Sequence, residues 1–224
     1  MTSVSMIDLP RNDDLVRAAL AGELETVKRL IEDGANPNSV DKHGIGPLLT
    51  YHPEVTQYLL EHTADPDLQC NEWEYPVIVG VCGNYECLRL MVEAGANVNR
   101  SSPHSGETVL HGEAGSTDAR PVRLLLAHGA DPNARTKPGM KTYGLWRDAR
   151  VRGETPLHRA AAWGSPDVIQ LLLDAGADPT IRDANKDTPL SWASWYLRDK
   201  SIIDQLSYEG SGVGPDFPPE ESST

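Results

Sequence analysis

Thr155-Pro-Leu-His158-Arg-Ala-Ala-Ala-Trp163-Gly-Ser-Pro166-Asp-Val168-Ile-Gln-Leu171-Leu172-Leu-Asp-Ala-Gly176-Ala-Asp-Pro-Thr180 is the stretch that decides the fold. A Thr hydroxyl can cap a helix N-terminus, and Pro suits the first helical position because no N–H is needed there. The Ala run that follows lets this helix approach another closely. Pro166 opens a second helix, in which Val168, Leu171 and Leu172 share one apolar face at i, i+3, i+4 spacing. Gly176 supplies the left-handed position that ends it, and Ala-Asp-Pro makes a turn. The unit is therefore helix, turn, helix, connecting loop.

The unit recurs in both directions. The terminal string appears as Gly34-Ala-Asn-Pro-Asn38, Thr63-Ala-Asp-Pro-Asp67, Gly95-Ala-Asn-Val-Asn99, Gly129-Ala-Asp-Pro-Asn133 and Gly176-Ala-Asp-Pro-Thr180, at intervals of 29, 32, 34 and 47 residues. Each copy follows an apolar face such as Val27/Leu30/Ile31 or Val122/Leu125/Leu126. The opening string returns as Thr188-Pro-Leu-Ser191 and, more loosely, Thr108-Val-Leu-His111. Thr108 to Gly129 and Thr155 to Gly176 both span 21 residues, so the two signals keep register. A fixed period of this kind marks a solenoid.

These strings resemble the ankyrin repeat, whose period is about 33 residues with a Thr-Pro-Leu-His-x-Ala opening. The resemblance covers residues 12–210 and implies an all-α solenoid of stacked helix-turn-helix units joined by short β-hairpin-like loops. Six helix pairs are expected. The first, Asp13 to Gly34, and the last, from Thr188, serve as caps that stop open-ended stacking. Residues 1–11 form an N-terminal extension, and 211–224, Ser-Gly-Val-Gly-Pro-Asp-Phe-Pro-Pro-Glu-Glu-Ser-Ser-Thr, a disordered tail. The resemblance also makes His111 and His158 structural and turns the first helices toward a concave face.

The chain departs from the pattern in three places. Gly46 to Thr63 is only 17 residues, so the first helix of unit two, from Pro47, loses about one turn. Unit three has Tyr75-Pro-Val-Ile78 for its opening and Gly80 where Ala is expected. These features read either as an unstable seam or as a notch in the inner face. Between units four and five, residues 134–152 form a long loop. It carries Arg135, Lys137, Lys141, Arg147, Arg150 and Arg152 against Asp148 alone, a net of +5, interleaved with Tyr143 and Trp146. Long loops are tolerated at small entropic cost, yet in compact repeats they also serve as binding elements. Arg, Trp and Tyr are hot-spot residues. These residues are therefore candidate partner contacts, together with Trp73 at a hairpin tip and with Trp163 and Trp195 near the ends of first helices.

Glu113 falls where Ala160 stands in the next unit, a small close-packed position. A carboxylate there needs a partner, and Arg159 is the natural one, so the pair is a candidate rim bridge or recognition element. Cys82 and Cys87 flank a turn without a second Cys pair or a His cluster, and read as small apolar residues rather than zinc ligands. No phosphate-binding loop, nucleophile elbow or dinucleotide fingerprint is present, so the expectation is a non-enzyme needing no cofactor or metal.

The composition agrees. A net charge of -13 disfavours nucleic acid and anionic membrane. No apolar run approaches the roughly 20 residues of a spanning helix. The N-terminus lacks a signal-peptide pattern and the three cysteines form no framework, so a cytoplasmic protein, monomeric alone, is expected. The function expected is a scaffold that binds another protein through its concave face, hairpin tips and basic loop. Alternatives are an inhibitor or immunity-type protein, polyanion docking through the basic loop, and an enzyme using Glu113 with nearby histidines.

Overall fold

The computed structural model describes residues 9–70, 75–140 and 152–207, with side chains from residue 12. Six units follow one another. They are α1 (Leu9–Ala21) with α2 (Leu24–Glu32); a 3-10 turn (Pro47–Leu49) with α3 (Pro53–Glu61); and α4 (Val77–Gly80) with α5 (Tyr85–Glu93). Then come α6 (Val109–Glu113) with α7 (Ala119–Ala127), α8 (Pro156–Trp163) with α9 (Pro166–Asp174), and α10 (Pro189–Trp195) with α11 (Lys200–Leu206). First helices pack on first helices (α4 on α6, α6 on α8, α8 on α10), and second helices on second helices from α2 through α11. The result is a two-layered stack.

Pro53 and Pro166 start second helices, and Gly34, Gly95, Gly129 and Gly176 have positive φ past helix ends, as their spacing predicts. The apolar stripes meet between the layers in one continuous core. Leu59, Leu88, Leu125 and Leu172 sit one per unit in successive second helices and are fully buried. Each contributes roughly 1.5–3 kcal/mol. β1 (Gln69–Cys70) and β2 (Tyr75–Pro76) pair antiparallel, with Cys70 opposite Tyr75, and Ser101 bridges Thr108 in the next connection. These are the hairpin-like loops.

The opening motif works as a capping box. His111 and His158 each accept from the backbone N–H of Thr108 or Thr155 on Nδ1, which leaves the proton on Nε2. That N–H then donates to Glu154 O at 3.3 Å or Asp187 O at 3.1 Å, tying each unit to the next. The histidines are thus structural.

A second ladder runs along the opposite edge. The Asn133 carboxamide donates to Gly176 O and accepts from Asp178 N, at 2.9 and 2.8 Å. Asn99 does the same to Gly129 O and Asp131 N, and Asn38 to Thr63 O and Asp65 N. Asp67 occupies the same position in unit two but can only accept, from Asn97 N. In the first four copies the last residue of the terminal string is therefore an inter-unit clamp, whereas Thr180 bonds only Asp178 of its own turn.

Unit two loses more than the single turn expected, since its first helix is reduced to the 3-10 turn, and α4 of unit three has only four residues. The core continues through both, because Leu48, Val77, Ile78 and Val81 are fully buried. Polar bonds bridge the thin region: Thr50 Oγ1 donates to Ala19 O, Tyr51 Oη to Gly80 O, and Asn84 Nδ2 to Tyr51 O. A Cβ on Gly80 would lie 2.2 Å from Leu49 Cδ2, so the missing methyl makes room for the shortened neighbour.

Candidate partner-binding face

Two of the residues expected to face a partner do not. Glu113 is 2% exposed and Arg159 7%, and they do not pair with each other. Arg159 points toward the loop side of the stack, where its Nη2 lies 2.7 Å from Glu107 Oε1 and 2.8 Å from Glu154 Oε1. Glu113 points along α6 to unit three, accepting from Gly83 N at 2.7 Å and from the Cys82 thiol. Burial raises the pKa of Glu113, and burial followed by the Glu113 charge raises that of Cys82. A position at the C-terminal end of α6 thus seals the neighbouring turn. This corrects the expected bridge and removes both residues from the candidate surface. Cys87, by contrast, is fully buried like the aliphatic residues it replaces.

The base of the long loop is built into the stack. Glu154 Oε2 accepts from Thr136 Oγ1 and Arg152 N, and Thr136 N donates to Glu154 O. Burial acts to raise the Glu154 pKa, but the Arg159 charge and these hydrogen bonds override it and hold it at about 2. Arg135 donates from Nε to Gly153 O and from Nη2 to Arg182 O. Lys137 Nζ donates to Pro103 O. The exposed cations Arg135 and Lys137 therefore anchor the loop to units four and six. Lys141, Tyr143, Trp146, Arg147 and Arg150 lie outside the described residues, as does Trp73.

At the last two units the aromatic residues separate into support and display. Trp192 is buried, donates from Nε1 to Asp183 Oδ2 at 3.1 Å, and meets His158 edge-on at 5.4 Å. Trp163, half-buried, packs edge-on against Trp192 and Tyr196 at 5.9 and 5.0 Å. The Arg152 guanidinium lies over the Trp192 ring, 5.6 Å from its centre. Trp195, one turn beyond Trp192, is 67% exposed, with Asp187 near its indole. Tyr196 and Leu197 follow at 47% and 84% exposed. Leu197 ends α10 with φ +50, a left-handed position where glycine is favoured. Its N–H donates to Ser194 O and that of Arg198 to Ala193 O.

Of the residues expected to form a surface, Arg152 and Trp163 both pack on Trp192, Trp195 stands exposed one turn along the same helix, and Arg135 lies on the adjacent loop base. Tyr196 and Leu197 were not foreseen. A Leu directly after an aromatic pair, where the repeat pattern would place a helix-ending glycine, was the available signal. Among the described residues no group of His, Cys, Asp and Glu is arranged to hold a metal ion, and no helix is long and apolar enough to cross a membrane.

Comparison with known proteins agrees with the architecture. A family model described as Ankyrin repeats matches three times, over residues 15–102, 83–183 and 145–214. The chain is 30% identical over 131 residues to the Gallus gallus nuclear factor NF-kappa-B p105 subunit, covering 54% of this chain and 13% of the relative. It is 39% identical over 56 residues to cyclin-dependent kinase 4 inhibitor B of Rattus norvegicus, covering 24% and 43%. The chain thus spans less than half the length of either relative. Among solved structures, the human ASB11 ankyrin repeat domain superposes with a TM-score of 0.64 at 27% identity, covering 86% of this chain and 80% of that one. A chain of the Bdellovibrio bacteriovorus Bd0816 predatory endopeptidase in complex with immunity protein Bd3460 gives 0.66 at 24% identity, covering 86% and 96%. At that identity the likeness shows the fold alone.

Proposed function

Because the chain belongs to the ankyrin-repeat family, whose stacked units are protein-interaction scaffolds, we propose that it binds a protein partner through the face built by α8, α10 and the base of the long loop. The observation that carries this is the consecutive exposure of Trp195, Tyr196 and Leu197 at the end of α10. A large indole has few torsions to freeze on binding and buries a large apolar area, the behaviour of an interface anchor. Arg135 and Arg152 add charge at the rim. The role is binding rather than catalysis, and a cytoplasmic site of action suits the three free thiols.

Affinity capture from source extract tests it, comparing the intact chain with Trp195→Ala and Leu197→Asp. Both substitutions sit on exposed side chains and are expected to leave the stack folded, which the helical circular dichroism checks. Loss of the specifically captured protein supports the proposal; undiminished capture by both variants refutes it. Replacing residues 141–151 by a short Gly-Ser linker, with the anchored ends kept, tests the basic loop in the same assay. An inhibitory outcome of binding is favoured by the likeness to cyclin-dependent kinase 4 inhibitor B. A fall in the captured partner's activity on adding the chain would establish it.

A further inference from the structure

The residues beside the Trp195 face specify the charge of what binds there. We propose that the partner presents an acidic peptide segment that lies along the loop edge of units four to six, with its carboxylates on Arg135, Arg152, Arg182 and Lys186.

These cations lack the partners that others have. On the helices, Arg17 pairs with Asp14, Arg89 with Glu86 and Glu93, Arg120 with Asp118, and Lys200 with Asp204. Along the loop edge Arg135, Lys137, Arg152, Arg182 and Lys186 are all exposed, and among the described residues none of the five forms an ion pair. Neutral groups hold them instead. Arg135 donates to Gly153 O at 3.0 Å and Arg182 O at 2.7 Å, Arg182 to Lys186 O at 2.7 Å, and Lys137 to Pro103 O. The Arg152 guanidinium stands over the Trp192 ring. Carbonyls and a ring fix these groups without neutralising them, and each guanidinium keeps N–H donors to spare.

The fold also crowds them. Arg135 bridges the backbones of residues 153 and 182, and Ala184 N donates to Arg152 O at 2.7 Å. Segments far apart in sequence thus bring three arginines to one patch. Like charges so placed repel, a cost that a bound anion removes.

The carboxylates in the same place are already engaged. Glu107 and Glu154 share the buried Arg159, and Glu154 also accepts from Thr136 Oγ1 and Arg152 N. Buried Asp183 accepts from Asn185 N, Asp187 N and Trp192 Nε1. Asp187, half-buried near Trp195, is the one acid of this edge open to solvent among the described residues. Burial raises its pKa, and the charges of Arg152 and Arg182 act against that rise. Counted in full, with Arg159, six cations stand against four carboxylates, a net of +2 on a chain of -13, so the remainder carries -15. Of the charges that reach solvent here, five are positive and one is negative. An acidic segment is attracted to this edge and repelled by the rest of the surface. A nucleic acid meets the same repulsion over a longer track and has no use for Leu197, whereas a peptide side chain can cover it.

This inference rests on the proposed partner face and names the chemistry of its ligand. Fluorescence anisotropy of the full chain with a labelled octapeptide of glutamate containing two leucines tests it. The peptide is expected to bind, and to weaken several-fold between about 50 and about 300 mM salt. Arg152→Glu/Lys186→Glu should weaken it about tenfold or more, whereas Arg29→Glu/Arg123→Glu, the same charge change on second helices, should alter it less than about twofold. Circular dichroism checks that both variants are folded. Equal losses in the two variants would overturn the inference, because affinity would then follow total charge. So would absence of peptide binding, or tighter binding of an oligothymidine of equal charge. In the capture assay Arg152→Glu/Lys186→Glu should reduce partner recovery. If Trp195→Ala abolishes capture while that variant is silent, the partner face stands and the acidic segment is dropped; if neither acts, the face itself is wrong.

Discussion

Arg159 and Glu107, 52 residues apart in the chain, meet as a buried ion pair with Nη2 2.7 Å from Oε1. The same guanidinium also binds Glu154, so one cation joins the third connection, the base of the long loop and α8. Arg159→Met would leave two buried carboxylates without their cation. A loss of about 3–5 kcal/mol is expected, visible as a lower urea midpoint. The triple variant Arg159→Met/Glu107→Gln/Glu154→Gln, which removes all three charges, should recover part of it. If the single variant is as stable as the parent, the network is not a stabilising tie.

Acid should unfold the protein in two stages. Burial, followed by the Arg159 charge, lowers the His111 pKa from 6.5 to about 4. Between those values the unfolded chain takes up a proton that the folded ring refuses. Stability therefore falls as pH drops through that window, by about 3 kcal/mol in all. Glu154, held at about 2, contributes stability above its unfolded value of 4.5 that is lost as pH falls from there toward 2. His111→Gln should reduce the slope of the upper stage, the remainder belonging to His158, whose pKa burial also lowers, as measured by chemical denaturation at about pH 7, 5.5 and 4.

The carboxamide clamps predict opposite signs for two similar changes. Asn99→Asp removes the donor to Gly129 O and should cost about 1–2 kcal/mol. Asp67→Asn supplies unit two with the donor it lacks and should stabilise by about 0.5–1 kcal/mol. Thermal midpoints of the two variants moving in the same direction would contradict the clamp.

Gly164 ends α8 with φ -70 and ψ 170, a backbone any residue adopts, so its glycine is required by space alone. An added Cβ would lie 2.6 Å from Ala114 O and 2.9 Å from Ala160 Cα, backbone atoms that cannot swing aside. Gly164→Ala should therefore cost about 1–3 kcal/mol by forcing units four and five apart. Gly112→Ala meets instead the Cys82 sulfur, at 2.3 Å, and Cys82→Ala should rescue it. Paired denaturation curves distinguish the two cases.

The solenoid was legible in the sequence because its rules are local. Thr155 and His158 cap within three residues, Pro166 needs no donor, and Gly176 takes the left-handed turn whatever lies beside it. The basic loop and the indole at position 195 were also visible as residue types in place. What could not be read was which side chains answer one another across units. Glu113 and Arg159 looked like partners by alignment, but each found another closer at hand: Gly83 and Cys82 for one, Glu107 and Glu154 for the other. The exposure of Trp195 beside buried Trp192 was equally undecided, since both lie on one short helix and only the packing of α8 separates them. Sequence alone determined the repeated unit, because capping and turn energies act over three or four residues. Tertiary structure decided which side chains are buried and which are exposed, because burial depends on neighbours 30 to 50 residues away that only the stacking brings together.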